Sequence, residues 1–251
     1  LGVAFAEYLH LTQVQQGLCL RTAAAVWRRA RTEEPAQTTG MLYWQLNDVW
    51  AGASWSTLDF GERYKASHYF AKRFFAPVAV SALLTPAADE PNRCSDATIS
   101  VYVASDLVEP TKGAVHVQAI KWHDGSPVGN VKTVQLEVPA QAGSTAWEAA
   151  PLSQVFSELG ANEPCTKPSA CFLRVSASLS SDDGRSYSSE TELFPDSLAS
   201  VVAAESYSLD VTSVELNAAG DGANVTIAAS GGAAPYVTAE TTLDGAWSDN
   251  A

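Results

Sequence analysis

The chain has 251 residues, 46% of them hydrophobic and seven of them Trp, which is enough length and apolar content for one large or two modest packed domains. Asp and Glu total 28 against 15 Lys and Arg, and the formal charge of −13 repels phosphate backbones and anionic membrane surfaces, which argues against nucleic-acid and membrane partners. A neutral ligand such as a sugar is compatible with that field, and no run of about 18 uninterrupted apolar residues offers a membrane span.

From Val3 to Ala30 apolar residues fall at Val3, Tyr8, Leu11, Val14, Leu18 and Val26, close to the helical period, and predict an amphipathic helix with Gly17 as a weak point. Residues 1–11 contain Glu7 and His10 and lack both a basic start and a small-residue cleavage site, so they read as internal to something longer rather than as a signal peptide. The polar stretch 31–40, with Pro35, ends the helix. Met41 to Leu46 reads as a short apolar strand of the kind buried on both faces. A loop rich in Trp, Gly and Ser follows, and Glu62 to Phe75 returns to helical spacing through Tyr64, His68, Ala71 and Phe75.

After Pro77 the pattern changes to alternating or β-branched runs separated by turn residues. The predicted strands are 78–84, 97–104, 114–122, 132–138, 171–179 and 186–193, about the strand count of a sandwich, with a short helix at 151–159. Strands are also predicted at 207–216, 223–229 and 236–241, where a further sandwich stops before it could close. The fold class is therefore multidomain, α/β followed by all-β. A single strand between two helices cannot cover its own faces, so residues 1–76 are expected to dock on something outside this sequence, and both ends read as cut.

Cys165 and Cys171 flank a short loop, a spacing that suits a local disulfide better than a metal site. Cys19 and Cys94 have no obvious partner and read as buried free thiols. Asn224-Val225-Thr226 is an N-glycosylation sequon. Together these features lean toward an oxidising compartment on the secretory route. His10 and His68 fall on predicted helices, His116 on a strand and His123 in a turn; no zinc-helix spacing, phosphate loop or serine elbow is present, so no metal, cofactor or serine chemistry is predicted.

Residues 40–56 place Trp44, Trp50 and Trp55 close together at a strand end beside Asn47 and Asp48. Two readings stand on spacing alone. The rings are core, or they stack on the C–H face of a sugar whose hydroxyls bond Asn47 and Asp48.

The run Leu-Tyr-Trp-Gln-Leu-Asn-Asp-Val-Trp at 42–50, Ser-Trp-Ser at 54–56 and His-Tyr-Phe-Ala-Lys-Arg-Phe-Phe-Ala-Pro at 68–77 resembles the β-mannosidases of glycoside hydrolase family 2. The resemblance reaches upstream through Tyr8-Leu9 and 12–15. It reaches downstream through Ser105-Asp106-Leu107, the Cys165 to Cys171 loop, 234–236 and Trp247-Ser248-Asp249-Asn250. It implies that 1–76 is the last helix, strand and helix of a (β/α)₈ TIM barrel, that 77–195 is an immunoglobulin-like β-sandwich, and that 196–251 begins a second, truncated one.

By the same resemblance the parent protein is a retaining exo-β-mannosidase that hydrolyses terminal β-D-mannose residues from oligosaccharides or glycoproteins, in a lysosomal, vacuolar or secreted setting. Trp44, Asn47, Asp48, Trp50 and Trp55 would contact the sugar at the C-terminal end of the barrel's eighth strand. The two catalytic glutamates would lie before residue 1, in a missing N-terminal part of the same protein, so the isolated chain is expected to be inactive. Glu7, Asp48, Asp59 and Glu62 are poor substitutes: Glu7 is on a helix, the two aspartates are in loops, and Glu62 is expected to begin a helix. The alternatives are a non-catalytic carbohydrate-binding or interaction sandwich, and a related enzyme for a glucosaminide or galactoside.

Overall fold

The computed structural model describes residues 2–86, 97–163, 165, 167–201, 207–239 and 247. Cys94 and residues 240–241 of the expected last strand lie outside them. Helix α1 spans Gly2–Arg29, as its apolar spacing predicts, and packs on α2, Ala66–Phe74. The contact is made by Val14, Ala24, Phe70, Ala71 and Phe74. The expected weak point, Gly17, is where the two helices come closest: a Cβ there would sit 2.3 Å from Cδ2 of Phe70.

Seven strands form a sandwich. β1 (Val78–Thr85), β2 (Thr98–Ser105) and β5 (Gly143–Pro151) make one antiparallel sheet in the order β1-β2-β5. β3 (Thr111–Lys121), β4 (Pro127–Val138), β6 (Cys171–Ser181) and β7 (Ser186–Leu193) make the other, in the order β4-β3-β6-β7. Alternate residues point inward, so Ile99, Val101 and Val103 of β2 meet Val115 and Val117 of β3 and Leu173, Val175 and Ala177 of β6. Helix α3, Leu152–Glu158, closes one end of this core with Leu152, Val155 and Phe156.

Cys165 and Cys171 are bonded, as expected, and both are buried. Cys19 is free but exposed, which corrects the buried-thiol reading; it lies on the outer side of α1, away from the α2 seam. β5 is the strand the sequence reading lacks. Its Ala- and Glu-containing run 143–151 has no β-branched alternation, and pairing with β2 decides its conformation.

The helices are clamped to the sandwich by arginines at the end of α1. Arg28 donates to the carbonyls of Phe74 and Ala76 at 2.8 Å each and to Asp106 at 2.9 Å, so one side chain closes the C-terminal end of α2. Arg29 donates to Ser81 and Ser100 and lies over the Tyr102 ring, and burial lowers its pKa to about 10.

The last described elements, β8 (Ser208–Leu216) and β9 (Ala223–Ser230), form a largely exposed hairpin. The expected strand from Tyr236 is absent over its described part: Tyr236 has φ 59 in a turn. Its ring instead packs on Phe70 and Phe194, and its hydroxyl donates to Glu192, which also accepts from Arg21 at 2.9 Å. Burial pushes the Tyr236 phenol pKa up.

Candidate functional site

Residues 41–46 belong to no sheet among the described residues, in place of the expected buried strand, and the backbone bends at Trp44 and Leu46. Their alternation survives. Met41 and Tyr43 turn inward against the α1–α2 cluster, while Leu42, Trp44 and Leu46 turn outward and are 95%, 71% and 57% exposed. The reason is visible in the backbone bonds: Gln45 and Leu46 use their carbonyls to accept from Thr57 and Leu58 of the loop that follows, and no strand among the described residues flanks the segment. The Trp44–Gln45 peptide is cis.

From Asn47 the chain doubles back twice. Asn47 forms a parallel bridge with Leu58, and Leu58 an antiparallel bridge with Tyr64. This compact turn uses the residues expected to start the second helix: Glu62 has φ 64 and α2 begins only at Ala66. Asp59 closes the turn by accepting from the backbone N–H and guanidinium of Arg63. Burial pushes the Asp59 carboxyl up, and those bonds outweigh it to leave the pKa below the usual value.

A polar knot joins Asp48, Ser54, Ser56 and Lys65. Asp48 has a side chain only 6% exposed; one carboxylate oxygen accepts from the Ser54 hydroxyl and the other from Lys65 Nζ at 3.2 Å. Lys65 also donates to Ser56 at 2.7 Å. The Ser54 hydroxyl is the main influence holding the Asp48 carboxyl below the usual carboxylate range; burial opposes it, and Ser56 and Lys65 reinforce it. Asp48 thus shapes the loop from inside, while Asn47, whose amide donates to the Asp48 carbonyl, stays exposed.

Trp50 and Trp55 are 65% and 71% exposed, so with Trp44 they are not part of this chain's core. Trp50 lies over Gly52, where an added Cβ would approach the ring to 2.2 Å. Helix α1 supports the loop from below: Gln16 donates to the Trp55 carbonyl at 2.8 Å, and Gln13 accepts from the Ala66 N–H at 3.0 Å, capping α2. Beside them Thr57, fully buried, lies 3.1 Å from both Tyr43 Oη and His68 Nδ1. His68 stacks on Tyr64, and burial lowers its pKa.

Sequence reasoning assigned no part in this site to Lys65, Ser54, Ser56, Gln13 or Gln16. Seventeen residues separate Asp48 from Lys65, and no local pattern links them. Asn224 lies exposed on β9, away from the loop in sequence. His10 is on α1, His116 on β3 and His123 in a turn. Among the described residues no group of three or more His, Cys, Asp or Glu is placed to hold a metal ion, and no helix is long and apolar enough to cross a membrane.

Residues 97–198, most of the sandwich with α3, match the Mannosidase Ig/CBM-like domain family. The chain is 37% identical over 128 residues to the β-mannosidase of Rattus norvegicus, covering 50% of this chain. It is 49% identical over 77 residues to that of Capra hircus, covering 30%. The chain is similar to β-mannosidases. It spans 13% of the rat protein's length and 9% of the goat protein's. Its fold recurs in the β-D-mannosidase of Dictyoglomus thermophilum, with TM-score 0.57 and 24% identity over 84% of this chain and 22% of that one. It recurs also in an exo-chitosanase of Amycolatopsis orientalis, with TM-score 0.50 and 18% identity over 90% of this chain and 22% of that one.

Proposed function

We propose that the protein carrying this chain is a retaining exo-β-mannosidase of glycoside hydrolase family 2, which releases terminal β-D-mannose from oligosaccharides or glycoproteins. In this reading residues 1–76 are the last helix, strand and helix of its (β/α)₈ barrel, 77–195 is an immunoglobulin-like support domain, and 196–251 belongs to a second one. The barrel segments that carry the two catalytic glutamates lie outside these 251 residues. Trp44, Trp50 and Trp55 form walls of the glycone pocket, with Asn47 hydrogen-bonding the sugar and Asp48 setting the loop's shape.

The observation that carries this reading is the outward face of 41–46. A segment with Leu42, Trp44 and Leu46 turned to solvent, beside a helix that exposes Phe5, Tyr8 and Leu11, supports a barrel strand and helix that pack on further strands and helices. The buried disulfide and the exposed sequon support a lysosomal, vacuolar or secreted setting. A sugar-binding role for the sandwich has less support, because its exposed large hydrophobic residues among those described are Val108 and Val131, neither of them an aromatic platform.

The test is hydrolysis of aryl β-mannoside, β-glucosaminide and β-galactoside by this chain alone and by the chain extended to a full barrel. Turnover of the mannoside by the longer form alone supports the reading. Activity in the shorter form puts the catalytic pair within these residues and overturns the barrel assignment, and a preference for another sugar overturns the substrate.

A further inference from the structure

Three tryptophans that are each about two-thirds exposed are not held by their own packing. The shape of the 47–56 loop that carries Trp50 and Trp55 must come from its base. At that base the Lys65 ammonium has three N–H donors and three acceptors, Asp48 Oδ2 at 3.2 Å, Ser56 Oγ at 2.7 Å and Ser54 Oγ at 3.4 Å, all of them loop residues. The other end of the side chain is equally fixed. The Lys65 N–H donates to the Thr57 carbonyl and its own carbonyl accepts from the His68 N–H, both at 2.9 Å, at the boundary of α2. With 16% of the Lys65 side chain and 6% of the Asp48 side chain exposed, the pair lies behind the loop rather than in its mouth.

We infer that Lys65 is a positioning residue for sugar binding: through Asp48, Ser54 and Ser56 it fixes the 47–56 loop on α2 and so sets the spacing of the Trp50 and Trp55 walls. The inference rests on the reading above that these tryptophans line the pocket. Losing Lys65 leaves the Asp48 carboxylate, only 6% exposed, without its cation and frees the loop to move. A guanidinium at this place is planar and larger and does not reproduce three convergent bonds from one nitrogen. The loop's walls touch substrate and transition state alike, so loosening them weakens both and raises KM more than it lowers kcat.

The experiment is steady-state hydrolysis of an aryl β-mannoside by the full-length protein carrying Lys65→Met, Lys65→Arg, Asp48→Asn, the Lys65→Met/Asp48→Asn pair, or Trp44→Ala. Lys65→Met is expected to raise KM about tenfold with kcat within about threefold, and Lys65→Arg to give a smaller rise in the same direction. The double variant is expected to match Asp48→Asn within about twofold, because the two residues act as one unit. A residue that served only overall stability would lower the active fraction, hence kcat, and leave KM alone; that result overturns the inference. If Lys65→Met does not fold, Ser56→Ala removes the 2.7 Å acceptor and keeps both charges, and an unchanged KM in that variant overturns it too. Trp44→Ala separates the two levels: impaired Trp44→Ala beside an unchanged KM in Lys65→Met sinks the positioning role alone, whereas unchanged kinetics in Trp44→Ala sink the pocket reading.

Discussion

The Phe70 ring on α2 occupies the space that any side chain at Gly17 on α1 would need, with 2.3 Å between its Cδ2 and an added Cβ. Helix propensity alone says that Gly17→Ala stabilises α1 by about 1 kcal/mol. Phe70 is 1% exposed and is backed by Tyr236, with ring centroids 5.3 Å apart, so it has nowhere to go. Overpacking of this kind costs about 1–3 kcal/mol. The clash is expected to win, and urea denaturation should show a net loss of about 1–2 kcal/mol. A higher midpoint would mean that the two helices are not in close contact.

The Cys165–Cys171 bond joins the loop after α3 to the first residue of β6, with a sequence separation of six. So short a loop restricts the unfolded chain only modestly, by about 2 kcal/mol in the loop-entropy description. Both cysteines are buried in the sandwich core, so reduction also loosens the packing around them. Thermal unfolding with and without reductant should separate by an amount of that order, and a Cys165→Ala/Cys171→Ala variant should unfold at the same point under both conditions. Coincident curves for the parent chain would mean that the bond does not form.

What could be read from the sequence follows how local the causes are. α1, β1, β2, β6, β7 and α3 carry their own periodicity and turn residues, and their ends fall within a few residues of expectation. β5 is different, because it is made a strand by β2 across the sheet, and nothing in Ala146 to Ala150 announces that. The loop at 47–65 shows the same limit from the other side. Glu62 to Tyr64 fit a helical spacing, but bridges to Leu58 and the Asp59–Arg63 contacts claim them for a turn. The Trp, Asn and Asp residues of the candidate site stand out by type. Their supports do not, since Lys65, Gln13 and Gln16 meet the loop only after α1 and α2 have packed.

His68 makes stability depend on pH. Burial lowers its pKa from 6.5, so the folded state favours the neutral ring and the unfolded state binds the proton more readily. The sign follows: this contribution is complete above the unfolded value, about 6.5, and is lost as pH falls below it toward the folded value. Denaturation midpoints between pH 7.5 and pH 5, reported about every half unit, should fall on acidification, and His68→Asn should flatten that part of the curve. Equal slopes in the two proteins would show that His68 is solvated enough to titrate normally.

Gly52 and Trp44 test the tryptophan walls in different ways. Trp44→Ala removes a platform outright and in the full-length protein is expected to lower kcat/KM by about 2 kcal/mol equivalent, near thirtyfold. Gly52→Ala leaves the Trp50 side chain in place, yet its Cβ would enter the space of the Trp50 ring at 2.2 Å and must push the indole aside. Gly52→Ala should therefore behave like Trp50→Ala, with KM raised in both and no further change when the two are combined. Ser178→Ala, on the exposed face of β6, is expected to leave kinetics as they are. Additive effects of Gly52→Ala and Trp50→Ala would mean that Gly52 acts on the loop by another route, and unchanged kinetics in both would place Trp50 outside the pocket.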